Sequence, residues 1–360
     1  MDTDLQPEYY RDTSPQTAVK DTEDTIAHIK ALDPKYALIS PIITPRFAPS
    51  CSDELLSSLG KLAKTEDLPI QTHISENRNE IALVSSLFPA HDHYAGVYDA
   101  HGLLTPRTVL AHGVHLSKDE RALVKERGSS VSHCPVSNSS LSSGICRVRR
   151  LLDEGVKIGL GTDVSGGYAA SVLAAAREAG IVSRILAGQV GWVEDEGEEI
   201  GRVEAKQTPN TATTSDTMAN DKEQASAQAS EQRERIKLSP EECLYLATVG
   251  GARCLNLETK IGTFEVGKEF DAQIVEVEQI TLPSIDQSGE GGGGAQKDRA
   301  DAGVGTGGIA DEVSLAKEDQ GLVQLWGNES WSDRIAKWVF CGDDRNTRRV
   351  YVKGRLVHER

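Results

Sequence analysis

Three stretches of this chain run an apolar, β-prone approach into a side chain that can bind a metal. The first is Ile70-Gln-Thr-His73-Ile-Ser-Glu76-Asn-Arg78, where a Glu follows the His by three residues and a polar, helix-like segment begins behind them. The second is Thr108-Val-Leu-Ala-His112-Gly113, and the third is Val156-Lys-Ile-Gly-Leu-Gly-Thr-Asp163. A neutral imidazole is a good zinc ligand, and a carboxylate held beside it can move the protons of an attacking water. If the three strands are neighbours in one parallel sheet, His73, His112 and Asp163 converge on a single N/N/O site. Sites of that kind hold catalytic zinc with a coordination position left open. Taken singly, each residue has a plainer reading. A lone His is more often a hydrogen-bonded structural group, Asp163 suits a helix cap, and Glu76 suits a helix N-terminus. The shared strand-end setting is what favours ligation.

The elements that would position these residues alternate. Ser14-Pro15 opens a helix with Ala18, Thr22, Ile26 and Ile29 on one face, after a polar stretch that reads as a loop. Ala37–Ile43 reads as a strand running into Thr44-Pro-Arg46-Phe47, and Ser52 caps a helix whose apolar face is Leu55, Leu56, Leu59 and Leu62. The His73 and His112 strands follow, then the capping box Ser117-Lys-Asp-Glu120 and a helix stopping at Gly128. Next come the strand Ser130–His133, a loop over Cys134–Ser143, a helix ending near Gly155, the Asp163 strand, and a helix over about Ser171–Leu186. Strand and helix alternate strictly, with metal-capable residues at strand C-termini. That rhythm predicts a parallel α/β fold, and a (β/α)8 barrel over a doubly wound sheet.

Composition divides the rest. Residues 1–187 read as the barrel domain and 188–236, rich in Glu, Gln, Ala, Thr and Ser, as a disordered acidic insertion. Residues 237–260 read as a final barrel-associated helix opened by Ser239-Pro-Glu-Glu242. Residues 261–282 and 338–360 read as strands of a small flanking β-sandwich, with a turn and strand pair over Ile261–Val275 and a closing hairpin at Val350–Val357. Between them lie a Gly-rich disordered insertion at 283–322 and a connecting helix or loop at 323–337.

Bulk properties narrow the function classes. A formal charge of −16 over 360 residues, with no block of Lys and Arg, argues against nucleic acid as a partner. The P-C-x-x-C of cytidine-deaminase zinc sites is absent, which argues the same way. No apolar run approaches the roughly 18 residues of a membrane-spanning helix, so a soluble protein is expected. Six cysteines scattered without a C-x-x-C pair, and no signal-peptide pattern, predict reduced thiols in the cytoplasm. Gly166-Gly167 reads as a tight turn, since no P-loop Lys follows. His133 reads as structural or as a neighbour of the ligands, and Tyr168, Trp326 and Trp331 carry no assignable role.

Taken together, Thr44-Pro-Arg-Phe47, Thr72-His-Ile-Ser-Glu-Asn-Arg78, Ala111-His-Gly113, His133-Cys-Pro135 with Asn138, Leu160-Gly-Thr-Asp-Val-Ser-Gly-Gly167 and Gly262–Asp271 resemble the guanine deaminase family of the amidohydrolase superfamily. Cys341-Gly-Asp-Asp-Arg-Asn346 and the terminal Val-Tyr-Val-Lys-Gly are similar as well, so the resemblance covers nearly the whole chain outside the two insertions. It implies a zinc-dependent hydrolase that converts guanine to xanthine and ammonia in purine catabolism, with a homodimer by analogy. Matched residue by residue, it implies a metal at His73, His112 and Asp163, with His73, Glu76 and Asp163 also facing the substrate. It implies Glu76 as the acid/base, Asp163 as a second proton carrier, Arg46 as the group that meets the guanine carbonyl, and Phe47 as a pocket wall. Arg46 offers donors and no acceptor, which suits a purine carbonyl better than an adenine amino group.

One departure stands out. The family places an H-x-H metal pair at the end of its first barrel strand, whereas the five strands counted here, around residues 39, 71, 110, 131 and 159, look like strands four to eight. The expectation is therefore an incomplete barrel, lacking its first metal pair and active only if other residues complete the site. His91-Asp-His93 is literally H-x-H, yet it follows Pro89 in a polar loop and reads as solvent-exposed. Two alternatives stay open: a related amidohydrolase acting on another heterocycle, and a non-catalytic binding or interaction protein.

Overall fold

The computed structural model describes residues 1–189, 227–279 and 323–360, together with the short pair Glu194–Asp195 and Glu198–Glu199. Its described chain separates into two units, Met1–Asp271 and Ala272–Arg360.

In the first unit the helices start where a side chain caps them. Ser14 accepts from the Thr17 amide at α1 (Pro15–Leu32), and Ser52 from the Leu55 amide at α2 (Asp53–Thr65). After β1 (Ile70–Ile74), Asn77 and Glu80 close a capping box on α3 (Arg78–Leu87), and His93 caps α4 (Tyr94–Ala100) by accepting from Gly96. β2 (Thr108–His112) leads to α5 (Lys118–Glu126) with its Ser117–Glu120 box, and then to β3 (Ser130–His133). α6 (Pro135–Ser140) and α7 (Val148–Glu154) precede β4 (Lys157–Leu160), and α8 (Val172–Gly188) follows it.

The four strands form one parallel sheet in the order β1-β2-β3-β4. Register aligns Thr72, Leu110, Val131 and Ile158 in a single row across all four strands. Every member of that row is buried. Parallel pairing brings the four C-terminal ends to one edge, where His73, His112 and the segment leading to Asp163 lie.

Several expectations are corrected. The strand expected at Ala37–Ile43 contributes a single parallel bridge, Ile43 to Ile70. The Ile43 amide donates to Pro69 and its carbonyl accepts from Gln71, but the next rungs on either side would fall to Pro41 and Pro45, which have no N–H. The loop expected over Cys134–Ser143 contains α6, because Pro135 sits at its first turn and Asn138 donates back to the Cys134 carbonyl. The helix expected from the Ser239–Glu242 box is present: it runs to Tyr245, passes through a π-turn at Leu246–Gly250 and continues over Gly251–Cys254. Within 261–271 there is no strand: Gly262 and Gly267 both adopt φ near 97° and fold the segment into turns.

The acidic and Gly-rich insertions fall largely outside the described residues; 227–236, at the end of the first, is helical. In the second unit Arg355–Glu359, Thr347–Val352 and Ala272–Val275 form an antiparallel sheet in that order. The expected hairpin is present, turning on Lys353 and Gly354 at φ 52° and 75°, the pair of left-handed residues that a two-residue hairpin loop requires.

All six cysteines are free and five are buried. Burial pushes the Cys146 thiol up to about 12 and those of Cys134, Cys243 and Cys254 to about 11. At neutral pH they are protonated thiols. Among the described residues no helix is long and apolar enough to cross a membrane.

Candidate metal centre

The end of β1 fixes His73 through its neighbour's backbone. Its Nδ1–H donates to the Arg46 carbonyl at 2.6 Å, and its amide donates to the same oxygen at 3.1 Å. A carbonyl only accepts, so the proton is on Nδ1 and the Nε2 lone pair is available. β2 ends differently. His112 adopts φ 71°, and the following Gly113 adopts φ 55° and donates to the Ile74 carbonyl. The His112 ring is fully buried, its Nδ1–H meets Asn138 Oδ1 at 2.9 Å, and its Nε2 has no hydrogen-bond partner. Beyond β4, Asp163 adopts φ 45° and accepts from Ser137 Oγ at 2.6 Å. Left-handed backbone at a non-glycine residue costs of order 1–3 kcal/mol and gathers where function holds it.

These three residues come together. One ligand atom from each of His73, His112 and Asp163 lies within 4.8 Å of the others, and the two imidazoles stack with centroids 5.1 Å apart. Glu76 stands beside them, with Oε2 at 3.8 Å from His112 Nε2 and Oε1 accepting from Ser143 Oγ at 2.8 Å. Burial, opposed by the Arg46 hydrogen bond and aided by the neighbouring His112, holds the His73 imidazole below its usual pKa. The cluster suits a cation. A buried nitrogen without a partner costs about 1–3 kcal/mol, and a metal ion at His112 Nε2 removes that cost. Two neutral imidazoles and a carboxylate form a donor set fit for zinc and its neighbours in the transition series.

Gly166 permits the Asp163 geometry: a Cβ there would meet Asp163 Oδ2 at 2.6 Å and Ser137 Oγ at 2.9 Å. Arg46 joins the cluster through its carbonyl, while its guanidinium is exposed and sits 5.8 Å from the Phe47 ring centroid. The same loop is tied down by Tyr98, whose hydroxyl accepts from the Ala48 amide at 3.0 Å and donates to the His73 carbonyl at 2.7 Å. His91 and His93 are no part of the cluster, and His93 serves as a helix cap. His133 is fully buried with both ring nitrogens unpaired, and burial lowers its pKa to about 3. Reasoning from sequence missed Ser137, Ser143 and Tyr98 altogether. Asn138 stood in a quoted motif but had no role.

The amidohydrolase family profile matches residues 7–357, and the chain belongs to that family. Within it the similarity runs to guanine deaminases. A probable guanine deaminase of Schizosaccharomyces pombe is 38% identical over 353 residues, which are 98% of this chain and 52% of that protein. The guanine deaminase of E. coli is similar in structure with a TM-score of 0.69 at 28% identity, covering 100% of this chain and 62% of its own. A guanine deaminase from C. acetobutylicum, solved with guanine in its active site, gives a TM-score of 0.66 at 29% identity, covering 99% and 64%. The chain thus spans between 52% and 64% of the length of these three relatives.

Proposed function

We propose that the protein is a zinc-dependent aminohydrolase that converts guanine and water to xanthine and ammonia. The observation that carries this reading is the buried, unpartnered His112 Nε2 turned to His73 and Asp163, with the Glu76 carboxylate 3.8 Å away. Zinc held there supplies the Lewis acidity that makes water nucleophilic near neutral pH. Glu76 takes a proton from the attacking water and passes it to a ring nitrogen, so that the charge developing as the C–O bond forms is neutralised. Asp163 hydrogen-bonds the same water and carries the second proton to the departing amino group, which leaves as ammonia when the C–N bond breaks. Arg46 donates to the purine carbonyl and Phe47 walls the base.

The four-stranded parallel sheet, with the Ile43 bridge beside it, supports reading these elements as strands four to eight of a (β/α)8 barrel. The antiparallel sheet of the second unit supports the flanking β-sandwich. A cytoplasmic homodimer in purine catabolism belongs to the same reading.

The test is zinc content together with guanine-to-xanthine turnover in the wild type and Arg46→Ala. Zinc should be retained in both, and turnover should fall about 10- to 100-fold in the variant, as for loss of a charged hydrogen bond to substrate. Unchanged turnover in Arg46→Ala would remove Arg46 from the substrate site, a zinc-loaded wild type without guanine turnover would sink the guanine assignment, and a metal-free wild type would sink the hydrolase reading itself.

A further inference from the structure

β3 supplies no ligand to the cluster, yet the segment that follows it reaches three groups on three other loops. Ser137 Oγ donates to Asp163 beyond β4, Asn138 Oδ1 accepts from His112 at the end of β2, and Ser143 Oγ donates to Glu76 beyond β1. The reach follows from strand order, because β3 sits between β2 and β4. The segment is closed on itself: the Leu141 amide returns to the Ser137 carbonyl and the Ser143 amide to the Asn138 carbonyl, both at 2.9 Å. His115 Nε2–H then holds the Ser143 carbonyl at 2.8 Å. Gly144, at φ 123°, lets that ring approach, since a Cβ there would lie 3.3 Å from it.

We infer that Pro135–Ser143 is a single positioning element that controls metal affinity and proton transfer through separate residues. Ser137 and Asn138 orient two ligands and so set the affinity for a divalent cation. Ser143 touches no ligand and orients only the Glu76 carboxylate, so it sets the rate of proton transfer. The inference deepens the metal-dependent deaminase reading and rests on it for the kinetic half.

The test compares the wild type with Ser137→Ala, Asn138→Ala, Ser143→Ala and Ser143→Thr. Zn2+ affinity is read by competition with a chromophoric chelator, and guanine turnover is resolved into kcat and KM. Losing a partner of a ligating side chain typically costs 10–100-fold, so Zn2+ affinity should fall about that much in Ser137→Ala and Asn138→Ala and stay within about twofold in Ser143→Ala. Ser143→Ala should lower kcat about tenfold at unchanged KM, and Ser143→Thr, which keeps the hydroxyl, should restore it. Equal losses of Zn2+ affinity in Ser143→Ala and Asn138→Ala would overturn the division of roles. So would undiminished affinity in both Ser137→Ala and Asn138→Ala. A wild type that binds Zn2+ but leaves guanine untouched removes the deaminase reading alone, and the affinity pattern across the variants still decides this one. A wild type that takes up no Zn2+ overturns both.

Discussion

The two units of this chain are built on opposite terms. In Met1–Asp271 a buried row crosses the parallel sheet and fully buried polar groups, His112 among them, are held at its edge. In Ala272–Arg360 the strand Arg355–Glu359 is exposed along its whole length. The described buried side chains there reduce to Val323, Leu325, Val339 and Asn346. Ion pairs stand in their place, including Arg345–Asp343 and Arg349–Glu359, both at 2.6 Å. Burial is strong and insensitive to salt, whereas exposed ion pairs contribute about 0–1 kcal/mol each and weaken with salt. Among the described residues, only the first unit gathers metal-capable side chains, with His73, His112 and Asp163 within 4.8 Å of one another.

The sharpest way to break this contrast is at the cluster. His112→Ala should abolish stoichiometric metal and, on the proposed function, lower guanine turnover by about a thousandfold or more, because residues acting as a unit fail together. The fold should survive, which metal analysis and circular dichroism on one sample would show. Next in size is a pair of leucines. Leu110→Ala, in the fully buried row, should destabilise by about 2–5 kcal/mol in urea unfolding, whereas Leu356→Ala, on the exposed strand, should change stability by less than about 0.5 kcal/mol. Equal effects would mean that the second unit has a core of its own.

The smallest effect is one of pH. Lys337, then the Trp326 amide, holds the Glu329 carboxyl down at about 2, against the usual 4.5. A depressed carboxylate contributes stability that is fully present above about 4.5 and is lost as pH falls through about 2. Protection of the 327–338 amides against hydrogen exchange, taken relative to the intrinsic rate at each pH, should therefore fall across that window, and 1 M salt should lower it at neutral pH. Exchange at the amides of β1 and β2 should respond to neither salt nor this carboxyl.

Much of the first unit was legible because its signals are local. Ser52, Ser117 with Glu120, and Ser239 with Glu242 each announce a helix start within four residues, and all three caps are made. His73, His112 and Asp163 were readable because a strand's C-terminal end is a place that a sequence can mark. The Ile43 region misled because its apolar residues argue for a strand while the hydrogen-bonding phase of Pro41 and Pro45 argues against it. Ser137, Asn138 and Ser143 were hidden for another reason. A run of Ser and Asn has loop composition, and which hydroxyl meets which carboxylate is decided by neighbours 26 to 67 positions away. The tie from Tyr98 to Ala48 likewise spans 50 positions.

The left-handed backbone at His112 and Asp163 also bears on how the molecule would respond to selection. Glycine adopts such a conformation with less strain than any residue with a Cβ, so position 163 is held away from its conformational optimum by its side chain. A library of variants ranked by melting temperature alone and one ranked by metal-dependent turnover would part company first at that position. Heat resistance gained there would be the mark of a protein released from its chemistry.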